Sequence, residues 1–344
     1  MQRLLTLILV LSTTLSTLVS VQAQDMVLSQ FYASPLLLNP AFAGTSRAPT
    51  FALNHRSQYV GFDNTPYTSY SMSYAQYLAP VQSGIGLSLL ADNAGQGIIG
   101  TYAATAYYSY QINIDRSNSV RIGLSAGIEQ RRLDWDQLVF FDQLDRDLGE
   151  IGPGGIPNPT NEQRPAETSR TFADFGAGVL YAGEKVYAGV SLNHLTTPDE
   201  RLASVTPAGF YKGLPMRLSV HAGTEITLGD SRAKQKASVT PNVMYTHQGP
   251  SDQLNVGAYL KFGSVFGGAW FRHAFENGDA AIGVVGVEWS MYKFGYSYDY
   301  AVSTLGGVSG GTHEVSLVVN FDKAWWIQDR RRAERYNDCL NLFR

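Results

Sequence analysis

Two runs of this sequence match catalytic motifs as strings of letters, but neither lies where its chemistry could operate. Gly95-Gln96-Gly97-Ile98-Ile99-Gly100 has the glycine spacing of a dinucleotide-binding loop. Alternating apolar residues follow it, whereas that loop requires a helix whose N-terminus binds pyrophosphate. Gly307-Val308-Ser309-Gly310-Gly311 matches a nucleophile elbow and also lacks a following helix. Both runs therefore predict turns or loops.

The residues that bind metals or form thiolates give no pattern either. The six histidines, at positions 55, 194, 221, 247, 273 and 313, lack the close pairing typical of a zinc site. Cys339 is the single cysteine, which excludes an internal disulfide and a cysteine-ligated cluster. The net charge of -3 gives no reason to expect nucleic-acid binding. We therefore expect a protein that is not an enzyme and uses no cofactor.

Residues 1–23 have the features of a signal peptide. Arg3 provides a basic start, an apolar run extends from residue 4 to about residue 21, and Val21-Gln22-Ala23 forms a small-residue cleavage site. The alternative is an N-terminal membrane anchor, because the apolar run approaches the lower length limit of a spanning helix. No later stretch approaches that length, so any further membrane crossing must be made by strands.

Apolar and polar residues alternate with a period of two over most of the remaining chain. In residues 292–300 the aromatic side chains fall on one side, and Lys293, Gly295, Ser297 and Asp299 fall on the other. The polar side of such runs is mostly Gly and Ser with scattered charges. That composition suits a crowded barrel lumen better than the solvated face of a soluble sandwich. The pattern therefore predicts an all-β transmembrane antiparallel up-and-down barrel.

Fourteen such runs are predicted as strands, an even number, as single-chain bacterial barrels require. They lie near residues 51–59, 67–78, 83–92, 97–112, 119–132, 171–182, 185–195, 216–228, 235–247, 253–262, 265–272, 280–289, 292–300 and 313–321. Every second connection is short, and the long ones, near residues 133–170, 196–215 and 301–312, alternate with them. This asymmetry is typical of periplasmic turns and extracellular loops. It predicts an outer-membrane location with both termini on the periplasmic side.

Charged residues on the lumenal side permit two interpretations. They could form a selectivity constriction, or they could pair and fill the interior; we favour pairing. The residues concerned are Arg121, Glu129, Arg217, Glu225, Lys293, Asp299 and Glu314.

The segment before the first strand, residues 24–50, fits neither a helix nor an ordinary strand and is expected to be irregular. Pro35 and Pro40 interrupt a helix, and the leucines between them show no alternation. We predict a short plug-like segment in the lumen, in which Asn39 and Pro40 form a turn and Gly44 permits a close backbone approach. The alternative is a segment lying beneath the barrel.

Two further segments are candidates for partner binding. In the loop 133–170, Trp135 and Phe141 are large apolar groups beside the polar Asp142 and Gln143, and they predict either a lid or a binding surface. The tail 322–344 follows the barrel (51–321) and is predicted as an amphipathic periplasmic helix. Its candidate residues are Trp325, Trp326, Arg330, Arg331 and Tyr336. Docking to periplasmic machinery and folding back on the barrel mouth are both open for this tail.

Three separated stretches carry a further signal: LSQFYASPLLLNPAFAGT (28–45), FFDQLD (140–145) and FADFGAGVLYAGEKVYAGVSLNHLTTP (172–198). In this order and spacing they resemble the PorP/SprF family of the type IX secretion and gliding motility system. The resemblance implies an outer-membrane barrel that assists export or surface anchoring of adhesins and cargo proteins with a C-terminal sorting domain. It also implies partners among type IX secretion and gliding proteins, such as periplasmic ring or lipoprotein components, with contacts to outer-membrane lipid and none to nucleic acid.

A different transport class is the main alternative. Asn39-Pro40-Ala41 is similar to a motif in the N-terminal hatch of FadL-like channels, which carry hydrophobic small molecules through fourteen-stranded barrels. The chain after residue 23 is short for a full hatch domain of that class. A passive porin is disfavoured because the predicted lumen is filled.

Overall fold

The structure, a computed structural model, describes residues 25–61, 67–115, 117–145, 149–152, 155–202, 213–229, 237–275, 277–302, 309–323, 340 and 343. Antiparallel strands dominate these residues. They are β1 (Thr50–Gln58), β2 (Tyr67–Leu78), β3 (Ser83–Ala94), β4 (Ile99–Asn113), β5 (Ser119–Leu133), β6 (Ser169–Ala182), β7 (Val186–Asn193), β8 (Arg217–Thr224), β9 (Ile226–Leu228), β10 (Ala237–Gln248), β11 (Ser251–Phe262), β12 (Val265–Ala274), β13 (Asn277–Trp289), β14 (Tyr292–Ala301) and β15 (Thr312–Asn320).

These strands form one sheet that closes on itself. Successive strands pair around the ring, and β15 pairs with β1, where Thr50 lies opposite Asn320. Strands β8 and β9 both pair with β10 and are separated by Glu225 alone, so they form one interrupted strand. The predicted barrel of fourteen strands is therefore confirmed, and most predicted strand ends agree within about two residues.

The two faces of the sheet have the predicted composition. Along β14 exposed and buried residues alternate, with Tyr292, Phe294 and Tyr296 exposed outward and Lys293 and Asp299 buried inside. The outer face thus presents the aromatic and aliphatic surface that lipid requires, while the inner face carries small and polar residues. No helix within the described residues is long and apolar enough to cross a membrane.

The connections distinguish the two ends of the barrel. The three longest, residues 134–168, 194–216 and 302–311, all leave the same end, which we call the long-loop mouth. The opposite end, the short-turn mouth, includes the two-residue link 263–264. Gly95 and Gly97 have positive φ in the tight turn between β3 and β4, which explains the glycine pattern there without a bound nucleotide.

Short helical turns complete the fold. One α-helical turn, Pro35–Leu38, lies between the 3-10 turns Phe31–Ala33 and Pro40–Phe42. Further 3-10 turns are Ala79–Val81, Trp135–Gln137, Phe141–Gln143 and Phe321–Lys323. The predicted signal peptide lies outside the described residues.

Candidate functional site in the barrel lumen

The residues that precede β1 run through the barrel from one mouth to the other. At the long-loop mouth, Asp25 Oδ2 lies 2.7 Å from His194 Nε2 and 2.8 Å from a guanidinium nitrogen of Arg217. At the short-turn mouth, the backbone N–H groups of Arg47 and Ala48 donate to the Asp322 carboxylate at 2.7 and 3.1 Å. Residues 25–48, the N-terminal segment, therefore occupy the full height of the lumen.

This path corrects the prediction that both termini lie at the short-turn mouth. The end of β15 lies there, since Asn320 and Asp322 accept bonds from Ser46 Oγ, both at 2.9 Å. Asp25, the first described residue, lies instead at the long-loop mouth. The prediction failed because it counted strands and did not consider a segment that turns back through the interior.

Proline sets the local shape of the N-terminal segment. Pro35 and Pro40 each occupy the first position of a single helical turn, where a missing N–H costs nothing. Each proline also stops the preceding turn from continuing. The segment is therefore a series of one-turn helices, which the expectation of an irregular, non-helical stretch did not include.

Glycines on the inner face make room for this segment. A Cβ atom built on Gly123 would collide with the backbone of Pro40 and Ala41. Likewise, a Cβ on Gly84 would meet the Ala43 carbonyl, and one on Gly178 would meet the Asn39 side chain. The segment can therefore pack against the barrel wall only because these wall positions have no side chain. This requirement explains the abundance of glycine on the lumenal side.

Asn39, singled out in the sequence, joins the segment to three strands. Its Oδ1 accepts a bond from Ala41 N at 2.9 Å and so closes the predicted turn. Its Nδ2 donates to the backbone carbonyls of Val179 and Val190 at 3.1 and 3.2 Å, and lies 3.2 Å from His221 Nε2. Because Asn39 and Pro40 are fully buried, water could not readily replace these bonds if the Asn39 side chain were removed.

A buried charge cluster fixes the first half of the segment. Arg56 lies 3.1 Å from both Asp299 and Glu314, and Arg272 lies 3.0 Å from Asp299. Ser29 joins the cluster, since its Oγ donates to Asp299 at 2.6 Å and its N–H donates to Glu314 at 2.8 Å. Two cations thus balance two carboxylates. Asp299 and Glu314 are paired with cations, as the favoured interpretation expected, but with two arginines outside the predicted set.

Arg56 and Arg272 were missed as candidates although they carry a readable signal. Both lie on the inward side of their strands, at the alternate positions that the period of two assigns to the lumen. The sequence could not show that the closed barrel brings both arginines close to Asp299. Arg217 and Arg121, which were predicted, donate to backbone carbonyls of the segment, those of Leu37 and Gly44, at 2.9 and 2.7 Å.

Gly44 and Lys293 complete the fit of segment to wall. Gly44 has φ of +68° and its Cα faces Gly84, so it makes the predicted close backbone approach. Lys293 Nζ lies 4.4 Å from the ring centroid of Tyr32, a cation–π contact in which the ring faces a buried ammonium.

A titratable pair holds the segment at the long-loop mouth. Burial opposes a charge on His194, but Asp174 and Asp25, 3.0 and 2.7 Å from its ring nitrogens, outweigh burial and raise its pKa to about 10. For Asp25, burial is outweighed by Arg217 and His194, and its pKa is well below the ordinary value. His194 is therefore a cation at neutral pH and Asp25 an anion.

The end of the chain also enters the lumen. Phe343 is buried, and its ring centroid lies 4.6 Å from that of Phe42, 5.2 Å from Tyr187 and 6.1 Å from Phe31. Leu340 is fully buried. Of the two interpretations of the tail, these residues support folding back onto the barrel. The predicted helix, with Trp325, Trp326, Arg330, Arg331 and Tyr336, lies outside the described residues.

The loop candidates lie apart from the lumen, at the long-loop mouth. The rings of Trp135 and Phe140 pack together with centroids 4.8 Å apart. Phe141 is 92% exposed, which does not support a lid packed over the barrel. Asp142 and Gln143 form hydrogen bonds within the loop at 2.6 and 2.7 Å.

Among the residues that the structure describes, no group of three or more His, Cys, Asp or Glu side chains could hold a metal ion. Many of the described polar residues of the lumen instead bond to the N-terminal segment or to each other. The arrangement can bind and position a peptide segment.

Comparison with solved structures finds other membrane barrels at low similarity. The chain covers 94% of the "TodX deltaS2S3 mutant monoaromatic hydrocarbon channel" with 83% of its own length, at 10% identity and a TM-score of 0.43. The chain also covers 98% of the outer membrane protein Omp33 of Acinetobacter baumannii with 79% of its own length, at 9% identity and a TM-score of 0.40. Similarity at this level identifies neither a function nor a ligand. No curated protein matches the sequence.

The family comparison is decisive because it extends over the N-terminal segment and nearly the whole barrel. Residues 20–319 match the family described as "Type IX secretion system membrane protein PorP/SprF". The matched range includes Asn39 and Pro40 and the inward glycines that face them. It also includes the loop 134–168 and all but the last residue of β15. The chain belongs to the PorP/SprF family of type IX secretion system outer-membrane proteins.

Proposed function

We propose that this barrel is a non-enzymatic component of the type IX secretion system that assists export or surface anchoring of sorting-domain cargo proteins or adhesins. The observation that carries the proposal is the occupied lumen. The N-terminal segment bonds to both mouths, and Asn39 and the charge cluster fix it between them. A barrel filled in this way serves as a platform that binds proteins, and its interior does not serve as a conduit.

The N-terminal segment acts as a plug in this proposal. Its polar contacts involve charged groups that are buried and paired, and removing one partner of such a pair is strongly unfavourable. Phe343 packs on Phe42 and adds an apolar contact between the two ends of the chain. Displacement of the plug would therefore require that many buried bonds break together.

The proposal assigns the two mouths to different partners. The long-loop mouth faces the cell exterior, so the loops near residues 133–170 and 196–215 contact cargo. The short-turn mouth faces the periplasm, where the tail after Asp322 begins. Ring or lipoprotein components of the secretion machinery would bind there. The asymmetry of loop lengths supports this orientation.

The test is surface delivery in a strain that lacks this chain. We expect sorting-domain proteins to be lost from the cell surface and medium, and uptake of hydrophobic small molecules to be unchanged. Loss of uptake with normal surface delivery would instead support a FadL-like channel and contradict the proposal.

A pull-down assigns the periplasmic partner. The full chain should retain secretion components that a chain ending at residue 323 loses. Because Phe343 packs inside the lumen, the matched control is Phe343→Ala, which weakens that packing and keeps the tail. If neither the full chain nor the control brings down a secretion component or a sorting-domain protein, the proposed role fails.

A further inference from the structure

The connection between β5 and β6, residues 134–168, is held in shape by its own hydrogen bonds. Gln143 and Asn158 exchange two bonds, each from a side-chain amide to the other residue's backbone carbonyl at 2.7 Å. The Asp142 carboxylate accepts from Asn161 N at 2.6 Å and from Thr160 Oγ1 at 2.9 Å. These polar side chains therefore hold the backbone of the turn Phe141–Gln143 in one conformation.

The turn presents an aromatic ring to solvent. Phe141 is 92% exposed although its neighbour Phe140 packs on Trp135. The same loop exposes four further apolar side chains, Val139, Leu144, Ile151 and Ile156. A loop whose backbone is already held in one shape loses less conformational entropy on binding than a free loop does. Exposed aromatic side chains are typical anchors of protein interfaces. The surface therefore has the character of a binding site for protein.

The net charge of this connection limits the kind of partner that it can bind. Residues 134–168 include eight acidic and two basic residues, a net charge of -6, whereas the whole chain carries -3. One of the two arginines, Arg164, is already paired with Asp136 at 3.0 Å. A field of this sign repels the phosphate groups of lipid headgroups and nucleic acids, and it attracts a basic protein face.

We propose that the described residues of this connection, 134–145, 149–152 and 155–168, form a docking surface for a protein whose complementary face is basic and carries an apolar socket for Phe141. The Phe141 ring enters the socket, and the acidic residues around it align lysine and arginine side chains of the partner. This inference rests on the proposed function, because it names the surface through which a secreted or surface-anchored protein is held.

The test places a photo-crosslinking phenylalanine analogue at Phe141 in cells that contain the native secretion machinery. The matched control carries the analogue at Leu195, an exposed apolar residue of the loop 194–216. We expect position 141 to crosslink to one protein, at a peptide that contains Lys or Arg beside apolar residues. Crosslinks to lipopolysaccharide, to an acidic peptide, or to the same proteins from Leu195 would overturn the inference.

The affinity between the purified full-length barrel and the crosslinked protein is then measured. Phe141→Ala should weaken binding at least about tenfold, as truncation of an interface anchor does, while Phe141→Trp retains it. Glu150→Gln combined with Glu162→Gln and Glu167→Gln should also weaken binding and reduce its dependence on salt. Each variant must be shown to fold into the same barrel as the parent. Equal affinities for the parent and Phe141→Ala would overturn the inference.

The outcomes for the two proposals are separable. A crosslinked partner that is basic and carries a sorting domain supports both. A basic partner outside the secretion pathway supports the docking surface and contradicts the proposed function. Lost surface delivery in the deletion strain, with delivery restored equally by the parent and Phe141→Ala, supports the function and overturns the docking surface.

Discussion

At the scale of single residues, Arg56 controls the buried charges of the lumen. It lies 3.1 Å from each of two carboxylates, Asp299 and Glu314, that are almost completely excluded from solvent. Arg56→Met would leave Asp299 paired with Arg272, and it would leave Glu314 with backbone N–H groups of Ser29 and Gln30 in place of a cation. We expect a loss of about 3–5 kcal/mol in the free energy of unfolding, the usual cost of breaking a buried pair. Denaturant titration of the folded barrel in detergent measures it.

Two controls accompany this substitution. Arg132→Met changes an exposed arginine of β5 by the same chemistry and should alter stability by less than about 0.5 kcal/mol. Arg56→Met combined with Glu314→Gln restores the balance of charge and should recover part of the loss. Equal destabilisation by Arg56→Met and Arg132→Met would show that the cluster is not a structural element of the lumen.

His194 makes the attachment of the N-terminal segment depend on pH. Its folded pKa, about 10, is raised above the ordinary value of 6.5, so its stabilising charge is fully present below about pH 6.5. That contribution decreases as pH rises and is lost above about pH 10. Asp25 has a lowered pKa, so its contribution is present above its ordinary 3.8 and is lost as pH falls further.

The measurement is stability against pH for the parent and His194→Gln. We expect the stability difference between them to be largest near pH 5–6 and to shrink towards pH 10, at about 1.4 kcal/mol per pKa unit at most. A difference that stays constant from pH 6 to pH 10 would contradict the role of the protonated imidazole.

At the scale of elements, the fit between the inner glycines and the N-terminal segment decides whether the segment stays in place. Gly123→Ala would put a methyl group into the backbone of residues 40–41. Gly283→Ala is the matched control, because a Cβ there meets no atom within 4 Å. We expect Gly123→Ala to displace the segment and Gly283→Ala to leave it bound.

Cysteine labelling reports this displacement. In a background with Cys339→Ser, a cysteine placed at the buried Ser34 should be protected in the parent and in Gly283→Ala. In Gly123→Ala it should react at least about tenfold faster, equivalent to about 1.4 kcal/mol of easier opening. The same rate in both glycine variants would mean that the wall does not hold the segment.

The elements of the barrel could be predicted from sequence because each strand carries its own pattern. Period-two alternation fixes which residues face lipid, and Tyr292, Phe294 and Tyr296 lie outside as expected. The path of the N-terminal segment could not be predicted. Asn39 bonds to carbonyls more than a hundred residues away, and no local pattern records which strands a turn will meet.

The same distinction holds for the ends of the chain. Asp25 meets His194, and Phe343 meets Phe31, only because the barrel closes around both of them. In the loop, the sequence identified Phe141, Asp142 and Gln143 as candidates, but it could not show which of them hold the loop in shape and which is exposed. The hydrogen bonds assign Asp142 and Gln143 to bracing the loop, while Phe141 is left exposed.

At the scale of the whole molecule, whether the lumen is filled decides if the barrel can act as a channel or only as a platform that binds other proteins. Fourteen strands enclose a space that can conduct ions or solutes when it is empty. Here the N-terminal segment contacts the wall at both mouths. Asp299 and Glu314 are paired with Arg56, while Arg217 and Arg121 bond to that segment.

Single-channel conductance in a planar bilayer tests this claim most directly. The parent, purified at full length, should show no steady open current, whereas Gly123→Ala should show openings as the segment leaves the lumen. Gly283→Ala should behave like the parent. A large, stable current through the parent would contradict the filled lumen, and the platform role proposed for this barrel would fail with it.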